Sequence, residues 1–193
     1  MERAKTPKNH KKKKTTIYKE GDENKRQEFL KKVSEIDKKN IIYIDEYGLD
    51  SGLYREYAYA PKGEKIIAKI SGKRPERVSI IAGKRGKEII APMIFSRYTD
   101  SSIFELYIQK FLCPELRKNE VVVCDNASFY KSVKTKNLIE NSDCKLMFLP
   151  TYSPDLNPIE HFWNTLKSRI RKILPHKQNM NLAIDHAFQQ SCC

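Results

Sequence analysis

Two short apolar runs, each delivering a carboxylate, most constrain what this chain can fold into. Ile41-Ile-Tyr-Ile44 leads into Asp45, and Val121-Val-Val-Cys124 leads into Asp125. Runs of this length and type suit central strands buried on both faces. An ionised carboxylate in such a place is costly unless it is paired or holds a metal ion. Period-two alternation sends Asp45 and Glu46 to opposite faces, so only one can serve a site from this strand. A third run, Lys145–Leu149, leads into Pro150 and a turn rich in Pro, Asn and Ser. Asn157-Pro-Ile-Glu160 then opens a helix with a third acid, with thirty-four residues between it and Asp125. Two strand-borne aspartates and a helix-borne glutamate form a candidate cradle for a divalent metal.

Each acid also has a duller explanation. Asp45 could sit in a structural salt bridge. Asp125, at a strand end before Ser128, could cap the following helix. Glu160 fits a capping box, with Asn157 at the N-cap, Pro158 at the first helical position and Glu160 at the third. The rest of that helix adds a feature that capping does not need. Glu160, Asn164, Lys167 and Arg171 follow one another at helical spacing, away from the stripe of Ile159, Phe162, Trp163, Leu166, Ile170 and Ile173. A ligand, an amide and two cations on one edge could bind phosphates, or could be a plain solvated face. Trp163 reads as core. No histidine reads as catalytic, since His161 projects about 100° from Glu160 around the helix.

Charge points the same way. The formal net charge is +13, and the first forty residues hold fourteen Lys/Arg against seven Asp/Glu. Lys11, Lys12, Lys13 and Lys14 form an unbroken run, read as a solvated arm able to bind DNA phosphates. A polyanionic partner, nucleic acid first, is the expectation. No stretch is apolar enough to span a bilayer and the N-terminus is polar throughout, so the chain is expected to be cytoplasmic and, with DNA as partner, nucleoid-associated. The cysteines, five in number and without zinc spacing, read as reduced thiols.

In chain order the pattern predicts residues 1–39 as a basic arm and linker helix, the helix over Asp22–Lys39 with Phe29, Val33 and Ile36 as its apolar stripe. Residues 40–193 read as one α/β domain. A strand over Ile41–Tyr47, a turn at Gly48–Gly52 and a second strand over Leu53–Ala60 come first. A basic stretch over Lys65–Arg77 follows. Strands Val78–Ala82 and Glu88–Phe95 then flank a connection at Gly83–Gly86. A helix over Ser102–Leu112, capped by Asp100 or Ser101, should bury Phe104, Tyr107, Ile108 and Phe111. Further helices are expected over Ser128–Glu140, from Asn157 onward, and over Met180–Gln190. This order suits a mixed sheet covered by helices.

The blocks IIYIDEYG, CDNASFYKS and LPTYSPDLNPIEHFW resemble the signature blocks of bacterial insertion-sequence transposases of the mariner-like superfamily. The resemblance covers roughly Ile41 to Leu174, and its last block is the most specific. Such proteins usually read DNAxxHK, and here Tyr130 stands in place of the histidine. The resemblance implies a ribonuclease H-like fold of the retroviral-integrase type. It also implies an Asp-Asp-Glu triad of Asp45, Asp125 and Glu160, which holds two Mg²⁺ ions that Mn²⁺ can replace. The implied activity is cleavage of phosphodiester bonds at transposon ends and transfer of the freed 3′-hydroxyl to target DNA. Transposon-end and target DNA, a second copy of the chain and a separate helix-turn-helix polypeptide for end recognition are the expected partners. A nuclease that cuts without joining, and a non-catalytic DNA-binding remnant, are the alternatives.

Overall fold

The structure is a computed structural model that describes residues 18–50, 60–65, 67, 77–96, 98–177 and 179–190, and of Phe129 the backbone alone. Its centre is a five-stranded sheet in the order β3-β2-β1-β4-β5. The strands are β1 (Ile41–Asp50), β2 (Arg77–Arg85), β3 (Glu88–Phe95), β4 (Val121–Cys124) and β5 (Lys145–Phe148). β1, β4 and β5 run parallel, whereas β2 pairs antiparallel with β1 and β3. The helices are α1 (Glu23–Ser34), α2 (Ser101–Tyr107), α3 (Val133–Glu140), α4 (Ile159–Ile173) and α5 (Met180–Gln189). The architecture is the mixed sheet covered by helices expected from the order of elements, and it agrees with the ribonuclease H-like fold that the resemblance implies.

Alternation along the central strands divides the core between the two faces. Ile42, Ile44, Val122 and Cys124 point to one side, against Phe104, Tyr107, Ile108 and Ile139 of α2, α3 and the turn between them. Ile41, Val121 and Val123 point to the other, where Phe29 of α1 and Leu149 cover them. On that same face Leu49 of β1, with Val78, Ile80 and Ala82 of β2, packs under Ile159, Trp163, Leu166 and Ile170 of α4 and under α5. Both faces are therefore covered, which is why these strands read as unbroken apolar runs.

Several boundaries differ from the sequence reading. β1 continues through Gly48 to Asp50, because Tyr47, Gly48, Leu49 and Asp50 all find partners on β2, from Ile80 to Arg77. Residues 48–50 of the expected turn are therefore strand; its residues 51–52, residues 53–59 of the expected second strand, and nearly all of the basic stretch before Arg77 lie outside the described residues. β2 runs through Gly83 to Arg85, leaving only Gly86 and Lys87 as the hairpin turn, with Gly86 at φ +57°. α1 ends at Ser34 rather than Lys39, since the Asp37 carboxylate accepts from Lys39 N at 3.1 Å and starts a separate 3₁₀ turn. Asp100 caps α2, accepting from Ile103 N at 2.9 Å. α2 widens after Tyr107 into a π turn, Ile108–Leu112. The wider turn advances the inward face by one residue, so Leu112 is buried and Phe111 is exposed. The helix expected from Ser128 is a 3₁₀ turn, Ser128–Lys131, followed by α3, which Ser132 caps through Thr135 N at 3.0 Å.

Candidate active site

The sheet register places the two aspartates side by side. Ile44 of β1 lies opposite Cys124 of the parallel strand β4, so the next residues, Asp45 and Asp125, leave adjacent strands at the same level. Neighbouring strands lie about 4.8 Å apart, and equal parity sends both side chains to one face, that of α1 and α4. β5 continues alongside, with Leu149 N donating to Cys124 O at 2.8 Å. From Leu149 a loop through Pro158 crosses the strand ends and returns the first turn of α4 to the same place. Asp45, Asp125 and Glu160 thus line one open cleft of about 240 Å³, with Tyr18, Tyr152, Ser153 and Asn157 around it.

The environment of the carboxylates is that of a site short of positive charge. Burial, then the nearby Glu160 and Asp125 charges, push the Asp45 carboxyl up to about 7, against the pull of its hydrogen-bond donors. Those donors are Glu46 N at 2.8 Å and the Trp163 indole Nε1 at 3.2 Å. Glu160 is also raised, first by burial and then by Asp125. Asp125 accepts a hydrogen bond from Asn126 N. Oxygen donors that repel one another are the set that Mg²⁺ or Mn²⁺ would neutralise. Among the described residues no group of three or more His, Cys, Asp or Glu side chains is drawn together closely enough to hold a metal ion. Mg²⁺ itself keeps several waters and takes one or two carboxylates at a time beside substrate phosphates.

Neither capping explanation describes the geometry. The residue before the 3₁₀ turn at Ser128 is Ala127, with no side-chain cap, and Ser132 rather than Asp125 caps α3. α4 begins at Ile159 after Pro158, also with no side-chain cap. Asn157 is buried, its carbonyl accepts from Glu160 N at 3.2 Å, and its side-chain oxygen has no partner among the described residues. The loop carries backbone strain as well, for Tyr152 sits at φ +56°, where a bulky side chain is disfavoured.

The other sequence-predicted site residues divide into two groups. Asn164 and Arg171 are exposed and Lys167 half-buried, all on α4 beyond Glu160, whereas Lys11 to Lys14 lie outside the described residues. Trp163, read only as core, is indeed buried and stacks on Tyr47 at 5.4 Å, yet it also holds Asp45. The signal was available, because a buried indole N–H needs an acceptor. Arg26 was missed too, although it precedes Phe29 by one helical turn and so falls on the buried stripe of α1. Tyr130 fills the core, edge-on to Phe104 at 4.3 Å. Cys124 and Cys144 are buried free thiols and Cys113 is half-buried; Cys192 and Cys193 lie outside the described residues.

Comparison with known proteins agrees with this geometry. The fold resembles that of the Mos1 strand transfer complex, with a TM-score of 0.63 at 13% identity over 95% of this chain and 63% of that one. It also resembles the Mos1 mariner paired end complex with Mn, with a TM-score of 0.59 at 13% identity over 96% of this chain and 64% of that one. In sequence the chain is 30% identical over 97 residues to the transposable element Tcb1 transposase of Caenorhabditis briggsae, covering 50% of this chain and 35% of that protein. It therefore spans about a third of the length of that relative. Residues 40–182 match the sequence profile of the family described as DDE superfamily endonuclease, a span that holds all three carboxylates of the cleft. Matched over most of its length, the chain belongs to the DDE superfamily endonuclease family.

Proposed function

We propose that this chain is the catalytic domain of a bacterial insertion-sequence transposase, beginning near residue 40, that cuts DNA at transposon ends and joins the freed 3′-hydroxyl to target DNA. The observation that carries the reading is the convergence of Asp45, Asp125 and Glu160 from three separate chain segments on one open cleft. By analogy with the Mos1 mariner paired end complex with Mn, these residues would hold two Mg²⁺ or Mn²⁺ ions. Ions bound there supply Lewis-acid stabilisation of charge on the attacking and departing oxygens of a phosphodiester.

The chain's own groups do the rest. The Glu46 N–H fixes one carboxylate oxygen of Asp45 and the Trp163 indole N–H the other. Two parallel strands fix the spacing of the aspartates, and the Leu149–Pro158 loop fixes the start of α4. Asn164, Lys167 and Arg171 continue from Glu160 along one helix and would hold phosphates leading out of the cleft. Lys11 to Lys14 would add further phosphate contacts. DNA, a second copy of the chain and a separate end-recognition polypeptide belong to the same proposal. No Ser or Tyr nucleophile is required, since water and then a DNA 3′-hydroxyl are the attacking groups.

The test is incubation of the chain with supercoiled plasmid, a transposon-end duplex and Mn²⁺. Joined end–plasmid products are expected. Cutting without joining would reduce the function to that of a nuclease.

A further inference from the structure

α1 reaches the cleft through one buried side chain. Arg26 lies in the first turn of α1 and is 6% exposed. Its Nη1 donates to Asp155 Oδ1 at 3.0 Å and its Nη2 to Asp155 Oδ2 at 2.7 Å. A two-pronged guanidinium–carboxylate pair fixes direction as well as distance. Asp155 sits in the 3₁₀ turn Pro154–Leu156, five residues before Glu160. The loop around it supplies Tyr152, Ser153, Pro154 and Asn157 to the wall of the cleft. A second contact grips the other end of this loop, the Tyr18 ring standing 6.2 Å from that of Tyr152. Among the described residues the hydrogen bonds of the turn itself are short-range: Leu156 N to Ser153 O at 3.1 Å, Asn157 N to Pro154 O at 3.0 Å and Ser153 Oγ to Thr151 O at 3.2 Å. α4 then starts without a side-chain cap. Glu160 is therefore placed both by the core contacts of Ile159 and Trp163 and by the loop that leads into α4, and the loop is held from outside by α1.

We propose that Arg26 is a positioning residue for Glu160: its pairing with Asp155 sets the Ser153–Asn157 loop and, through it, the first turn of α4. The inference rests on the reading of Asp45, Asp125 and Glu160 as one metal site. Arg26 touches none of the three carboxylates and acts only through Asp155. Asp155 in turn is held below its usual carboxylate range, first of all by its hydrogen bonds from Arg26. A charged partner on α1 thus makes the catalytic loop depend on a segment that precedes the sheet.

The test is calorimetric titration of Mn²⁺ alone into the full chain, with amide hydrogen exchange on the same proteins. Arg26→Ala should weaken Mn²⁺ binding about fivefold or more. It should also speed exchange at Leu156, Asn157 and Glu160 at least tenfold, while β1 and β4 amides keep wild-type rates. Arg26→Lys, which keeps the charge but loses the fork, should fall between, and the exchanged pair Arg26→Asp with Asp155→Arg should recover much of the affinity. Asp155→Asn gives the same comparison if Arg26→Ala does not fold. Wild-type Mn²⁺ affinity in a folded Arg26→Ala protein overturns the inference while leaving the metal site standing, provided Glu160→Gln weakens binding. No Mn²⁺ binding by the wild type, or equal binding by Glu160→Gln, overturns the reading of the site and this inference with it.

Discussion

At the scale of residues, the chemistry is concentrated on Asp45. A carboxyl at 3.8 in the unfolded chain and about 7 in the native one binds more protons folded than unfolded between those values. The Asp45 contribution to native stability therefore falls as pH rises from about 4 to about 7, by on the order of 4 kcal/mol in total. Asp45→Asn should flatten that slope, leaving what the raised Glu160 contributes, and raise the melting temperature above pH 7 in metal-free buffer; an unchanged slope in thermal denaturation across this range would contradict the assignment. Mn²⁺ should restore wild-type stability at pH 8 and not that of the variant. Trp163→Phe keeps the ring against Tyr47 and loses only the N–H that reaches Asp45. It should cost about 1 kcal/mol in urea denaturation and weaken Mn²⁺ binding severalfold.

At the scale of elements, α4 serves two purposes along its length. Its inward stripe is part of the core, and Leu166, fully buried among Val78, Ile80 and α5, should cost about 2–5 kcal/mol when replaced by Ala. Its outward edge carries the proposed phosphate contacts. Lys167→Ala and Arg171→Ala should each weaken DNA binding and each reduce the slope of log affinity against log salt by about 1, measured by fluorescence anisotropy. An unchanged slope would leave that edge a solvated face. The strands β1 and β4 and the core stripe of α4 were legible in the sequence because apolar periodicity is a local property. The π turn after α2 was not, since its wider winding shows only in which of Phe111 and Leu112 is buried. Nor was the start of α4: Asn157 has the chemistry of a cap, but tertiary burial took its side chain away from that role.

At the scale of the whole molecule, the site exists because β4 and β5 end beside Asp45 of the longer parallel strand β1, and a loop returns a helix to that level. The sequence showed the three acids and their spacing, and the register of β1 with β4 turns that spacing into adjacency. What it did not show were the long-range partners that hold the acids, Trp163 on Asp45 at a separation of 118 residues and Arg26 on Asp155 at 129. Such pairings depend on which faces meet, and no local pattern encodes that. The described residues include no helix long and apolar enough to cross a membrane, and the net charge of +13 favours a polyanionic partner. The most direct measurement of the central claim is nicking of supercoiled plasmid in Mg²⁺ or Mn²⁺ by the wild type beside Glu160→Gln, which preserves shape and removes one charge. Metal-dependent nicking by the wild type, reduced at least a hundredfold in the variant and absent with chelator, is the predicted result. Equal nicking by the two proteins would contradict it.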